Sequence, residues 1–223
     1  MALKYIDTRK KTWKNRREWL IGFSALLIFL VSFFFPQKLF GDPFWLSFFL
    51  YASFPVAIMI FVLKEPLQNF GFGAGKKFWG IALGIIFTIA FVAGHYFLVF
   101  HSPWAGQIPV ARVLVSGFLN FLLYEIFFSL PFQFFSEVFF RGFLQLGLEK
   151  KLGIFSLLLA ALLQTVPYAR TNWAVLALVG CSSLAAGIIV RQGRSIYYSA
   201  IAMWIISASL DIMIIKVINQ SRF

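Results

Sequence analysis

The feature that most constrains this chain is a series of apolar runs, each about as long as a membrane is thick. A helix that crosses the roughly 30 Å hydrocarbon core needs about 20 residues, mostly without charge. Runs of this kind fall at Trp19 to Phe35, Phe44 to Leu63, Phe78 to Phe100, Glu125 to Leu148, Leu152 to Tyr168, Trp173 to Val190 and Ser195 to Ile215. The fold class that follows is all-α: a polytopic helical membrane protein with about seven transmembrane helices. Between the runs stand turn formers, among them Gly41-Asp42-Pro43, Gly71-Phe72-Gly73-Ala74-Gly75, Ser102-Pro103 and Gln192-Gly193, and no connection is long enough for a second domain.

Composition agrees. Of the 223 residues 61% are hydrophobic and 13% charged, against roughly 25% charged in a soluble domain. The formal charge of +12 would suggest nucleic acid on a soluble protein. Here the positive-inside rule and anionic headgroups account for it, so the partners expected are membrane lipids and other integral membrane proteins, with no nucleic acid. With the N-terminus in the cytoplasm, seven basic residues before Trp19 join Lys64, Lys76, Lys77, Lys150, Lys151, Arg191 and Arg194 on the inner face, fourteen in all; five lie outside and Arg141 lies within a span. Residues 1–18 read as a cytoplasmic basic lead and Trp19 to Phe35 as a retained helix rather than a signal peptide. Residues 19–215 form one transmembrane domain, and 216–223 a short tail. The expected location is the cytoplasmic (inner) membrane.

One cysteine, Cys181, and two histidines, His95 and His101, exclude a disulfide framework and give no zinc-ligand spacing. No cofactor or metal is expected. The Gly-x-Gly-x-Gly at Gly71 precedes no soluble nucleotide fold and reads as a flexible loop; Gly80-x-x-x-Gly84 reads as a helix-packing face.

The stretch from Arg112 to Glu149 would be about 56 Å long as a single helix, so either Arg112 to Tyr124 lies partly in the outer interface or the chain turns near Pro131 and makes two spans. Leu130-Pro131-Phe132-Gln133 lacks the charge or glycine of a turn at a membrane face, whereas a proline inside one helix is tolerated. Glu125, Ser129, Gln133, Glu137, Arg141, Gln145 and Glu149 recur every four residues across it. That series predicts one kinked helix with a polar seam toward the bundle interior. Within the seam, Glu137 and Arg141 have the favoured order for an intrahelical ion pair, which would neutralise both charges in the membrane.

The letters around that pair, Ser136-Glu137-Val138-Phe139-Phe140-Arg141-Gly142-Phe143-Leu144-Gln145, resemble the first motif of the CPBP family, the CAAX prenyl endopeptidases and bacteriocin-processing or immunity (Abi) proteins. That motif is Glu-Glu-x-x-x-Arg. The second family motif, Phe-x-x-x-His, falls on Ala160 and Gln164, and the third, His-x-x-x-Asn/Asp, on Met203 and Ser207; Ser195 to Ser199 is similar to the lead-in of the third. The resemblance covers about residues 64–215 and implies a CPBP-like bundle. It implies catalytic roles at Ser136, Gln164, Met203 and Ser207, and a supporting pair at Glu137 and Arg141. At the first four positions the family's Glu, two His and Asn are replaced by residues that cannot act as a general base near neutral pH. A residue next to Ser136 points about 100° away from it on a helix, and Arg141 holds Glu137, so Glu137 is no ready substitute. The resemblance therefore implies a pseudoprotease: an accessory or structural subunit, or a binding or immunity protein, of a membrane complex. The alternative is an active intramembrane endopeptidase with an altered site. Transport is weaker, because no inverted repeat is visible.

Overall fold

The computed structural model describes residues 2–34, 43–101, 117–169 and 173–220. Seven helices account for nearly all of these, and no strand occurs among the described residues. They are α1 (Ala2–Phe34), α2 (Phe44–Val62), α3 (Lys77–His101), α4 (Phe118–Leu152), α5 (Ile154–Tyr168), α6 (Trp173–Gly193) and α7 (Ile196–Gln220). Six are long and apolar enough to cross a membrane, and the protein is an all-α polytopic membrane protein. Helix α5 is shorter: from Ile154 to Tyr168 it rises only about 22 Å, less than the hydrocarbon core. Gly153, at φ +56°, separates it from α4, so the predicted span that began at Leu152 starts two residues later.

The basic lead is helical. Its helical backbone runs without a break into the first apolar run, making α1 a single 33-residue helix.

Helix α4 is continuous for 35 residues through Pro131, as the polar seam required; Arg112 to Ser116 lie outside the described residues. Proline removes an N–H and crowds the carbonyl four residues earlier. In α4 that carbonyl belongs to Phe127, and the helix opens into i→i+5 turns over Glu125–Ser129. The same solution recurs in α2, where Pro55 follows wide turns over Phe48–Ser53. A third wide segment, Val138–Leu146, carries the Glu137/Arg141 region. Ordinary helical turns take 3.6 residues and wide ones more than four, so alternating the two holds a four-residue repeat on one side of the rod. None of the seven seam residues is exposed, and Glu125, Glu137, Arg141 and Gln145 are fully buried.

Every residue of α4 from Ser136 to Leu148 is buried, as suits a helix that contacts α1, α2, α5, α6 and α7. Phe70, Phe139 and Phe143 have no exposed surface and pack with Ile21 and Met59 between α1, α2 and α4. Other aromatics face outward, such as Phe23, Phe61, Phe78 and Phe118, in positions where lipid is the solvent. Helix α3 lies against α6 and α7. The Gly80/Gly84 face serves this packing: a Cβ on Gly80 would come within 2.1 Å of the Tyr198 ring.

The helix ends that carry most of the basic residues meet on one face and are stapled there. Arg17 bonds the Glu65 carboxylate and donates to the Gly147 carbonyl at 2.8 Å. Lys151 pairs with Glu18 at 3.7 Å, and Arg191 and Arg194 both reach Glu149. The Gly71 to Gly75 segment is held rather than loose. Ile196 N–H donates to Gly71 O at 3.1 Å, Lys76 N–H to Gly193 O at 2.6 Å, and the Tyr198 hydroxyl to Ala74 O at 2.7 Å. The reading of this segment as a flexible loop is thus corrected: its glycines let the chain turn at positive φ and lie flat against the α6–α7 junction.

The Arg17 guanidinium, hydrogen-bonded to Glu65, holds that carboxyl below the usual carboxylate range. A carboxyl whose folded value is depressed contributes stability that is complete above its unfolded value, about 4.3, and that disappears as pH falls through the folded value. Glu65→Gln is therefore expected to lower the unfolding temperature in detergent at neutral pH and to narrow its gap from wild type below about pH 4. Melting curves across that range check this; a constant gap at all pH values would contradict it.

Candidate functional site

The candidate site lies inside α4, where four helices bring polar groups onto a pair of opposite charges. Glu137 and Arg141 are both fully buried, and Arg141 Nε stands 3.8 Å from Glu137 Oε1. They are one turn apart on the same face, so the pairing is built into the helix itself. Gly142, just beyond Arg141, lets the Phe70 carbonyl approach the helix, since a Cβ there would come within 2.9 Å of it.

Arg141 then reaches across to α5 and α6. Its Nη2 donates to Gln164 Oε1 at 2.6 Å, to Ser183 O at 2.6 Å and to Ser183 Oγ at 2.5 Å. The Ser183 hydroxyl in turn donates to Gln164 Oε1 at 2.6 Å. With its carbonyl oxygen turned toward these donors, Gln164 presents its amide to Ser136, and Nε2 donates to Ser136 Oγ at 3.1 Å. On the other side of the pair, the Ser199 hydroxyl of α7 donates to the Glu137 carboxylate. One turn further along α4, Gln145 Nε2 donates to the Gly187 carbonyl at 2.8 Å. Arg141 and Gln145 on α4 thus face Ser183 and Gly187 on α6 as two rungs with the same four-residue step.

Hydrogen bonding does not exhaust this network. Glu137 Oε1, Arg141 Nε and Nη1, and Gln145 Oε1 are buried without a hydrogen-bond partner among the described residues. In a low-dielectric interior such groups are costly, and each charge of the pair depends heavily on the other.

Of the six residues singled out in the sequence, four come together: Ser136, Glu137, Arg141 and Gln164. Met203 lies elsewhere, in an apolar cluster with Ala186, Ile189, Ala202 and Ile206, against Leu83, Phe87 and Phe91 of α3. Ser207 is half-buried one turn further along α7. Sequence reasoning missed Ser183 and made Ser199 only part of a motif lead-in, yet both bond directly to the charged pair. Their signal was slight, a hydroxyl inside an apolar run.

A second polar contact joins α4 and α7 near the opposite end of the bundle. Trp204 Nε1 lies 3.1 Å from both the backbone oxygen and Oε2 of Glu125, and the Asp211 side chain stands beside the same carboxyl. Neither Trp204 nor Asp211 stood out in the sequence. His95 is buried on α3 and bonds the Ile206 backbone, while His101 ends that helix exposed. Cys181 is a free, exposed thiol on α6. No group of three or more metal-ligating side chains occurs among the described residues.

Chemically, the central cluster offers one carboxylate, one guanidinium, two amides and three hydroxyls. The only group in it suited to general-base work is Glu137, and Arg141 and Ser199 engage its carboxylate. Ser136 receives a hydrogen bond from an amide and has no imidazole or amine to activate it. The arrangement is that of a polar brace tying α4 to α5, α6 and α7. No family model, no curated protein and no solved structure matches the chain.

Proposed function

We propose that this is a non-catalytic, CPBP-like integral membrane protein that works by binding, as an accessory or structural subunit or an immunity-type protein of a membrane complex. We place it in the cytoplasmic membrane of a bacterium with the basic face and the N-terminus inside, following the excess of Lys and Arg on that face. One observation carries the reading. At the positions where the first and second family motifs have catalytic Glu and His, Ser136 and Gln164 bond to each other, and Gln164 is also the acceptor for Arg141. The scaffold of the motif is kept, and the groups that would activate water are replaced by groups that hold helices together. Six apolar crossings with outward-facing Phe and Trp leave wide lateral surface for partner helices.

The test is hydrolysis. Purified wild-type protein, given prenylated CAAX peptides and leader-bearing precursor peptides in mixed micelles, is expected to cleave neither above the protein-free rate. Cleavage that Glu137→Gln abolishes would overturn the proposal in favour of an endopeptidase with a rebuilt site.

A further inference from the structure

Along the outer seam of α3 and α7 run two adjoining depressions that share Thr88 and Ile89. The one nearer the basic face has a volume of about 340 Å³ and extends along α3 from Gly80 to Ile89, about 14 Å of helix. That is close to the depth of one leaflet, half of the roughly 30 Å hydrocarbon core. Its floor is low because Gly84 and Ala202 are small and buried, while Ile81 and Ile85 on α3 and Ile201 and Ile205 on α7 stand exposed on either side. An apolar floor between two isoleucine rows suits a hydrocarbon chain, and the charge at its end decides the occupant.

The end of this groove is charged. Lys76 and Lys77 are exposed immediately before Gly80, and neither has an ion pair among the described residues. Glu149 is bridged by Arg191 and Arg194 instead. Trp79 is exposed at the same level, as suits an aromatic at the headgroup layer. The mouth is fixed in place because Lys76 N–H is bonded to Gly193 O.

We propose that this groove seats one anionic phospholipid, its acyl chain along Gly84 and Thr88 and its phosphate held by Lys76 and Lys77. The inference rests on the membrane fold and not on the proposed function. It is tested by thermal unfolding of the full chain in detergent with phosphatidylglycerol or phosphatidylcholine of the same acyl chains. Phosphatidylglycerol is expected to raise the unfolding temperature by about 5 °C more than phosphatidylcholine. The double substitution Lys76→Gln/Lys77→Gln should erase that difference without lowering the lipid-free value, since both side chains are exposed. Thr88→Trp, which fills the groove, should remove stabilisation by both lipids; if that variant fails to fold, the lysine variant decides. Equal stabilisation of wild type by the two lipids would overturn the proposal, as would a preference that survives loss of both lysines. A photo-crosslinker at Ile85 that captures a membrane protein rather than lipid in native membranes would also overturn it.

Discussion

Arg141→Ala is expected to destabilise the protein by about 3–5 kcal/mol, whereas Ser136→Ala should cost about 1 kcal/mol. The difference follows from what each truncation strands. Without Arg141, Glu137 is a fully buried carboxylate with no counter-charge, and Gln164 and Ser183 lose the donor that unites α4 with α5 and α6. Without the Ser136 hydroxyl only the Gln164 amide loses a partner. Arg141→Lys should not restore wild-type stability, because one ammonium cannot address Glu137, Gln164 and Ser183 with the fixed fork of a guanidinium. Thermal unfolding in detergent, read by intrinsic Trp fluorescence, measures all three. Equal unfolding temperatures for the two alanine variants would show that the charged pair is not the brace described above.

Gly75→Ala should be the most damaging single methyl group, costing about 3 kcal/mol or more. Gly75 sits at φ +53°, and a Cβ there would lie 2.1 Å from the Gly193 carbonyl oxygen and 2.7 Å from that of Arg194. Both are backbone atoms, so no rotamer change relieves the clash. The loop must move instead, which breaks the Lys76 to Gly193 hydrogen bond and detaches the start of α3 from the α6–α7 junction. Gly94→Ala provides the contrast. It lies inside α3 with nothing within 4 Å of the added carbon, and helix propensity favours alanine there by about 0.5–1 kcal/mol. The first variant is expected to melt well below wild type and the second at or above it. Similar melting of the two would mean that the glycine segment is not the anchor its hydrogen bonds describe.

Apolar length placed the helices closely, because in lipid every backbone polar group must be satisfied within its own segment and little else can span. The continuity of α4 through Pro131 was legible for a different reason. A polar seam with a strict four-residue step makes sense only on one rod, and the wide turns near Pro131 and Gly142 supply the geometry that keeps it on one side. The Glu137/Arg141 pair was legible because its partners are one turn apart.

The rest of the site depends on contacts between helices far apart in the chain, and a local pattern carries no trace of these. Ser183 is 42 residues from Arg141, and Ser199 is 62 from Glu137. The same holds for Trp204 and Glu125, 79 residues apart. The motif positions Ser136 and Gln164 do meet. Met203 does not join them, because the facing direction of α7 turns it into the apolar contact with α3 and α6. The glycine segment was misread because its anchors, Gly193, Ile196 and Tyr198, are more than a hundred residues away.

The central claim is that the chain acts by binding other membrane proteins, and its most direct test is to isolate the tagged protein from its native membrane in mild detergent. Quantitative mass spectrometry of the purified material should find one or more integral membrane proteins in fixed stoichiometric ratio with it, and Arg141→Ala should lose them together with its own stability. Recovery of the wild-type chain alone, folded and free of membrane-protein partners, would contradict the account.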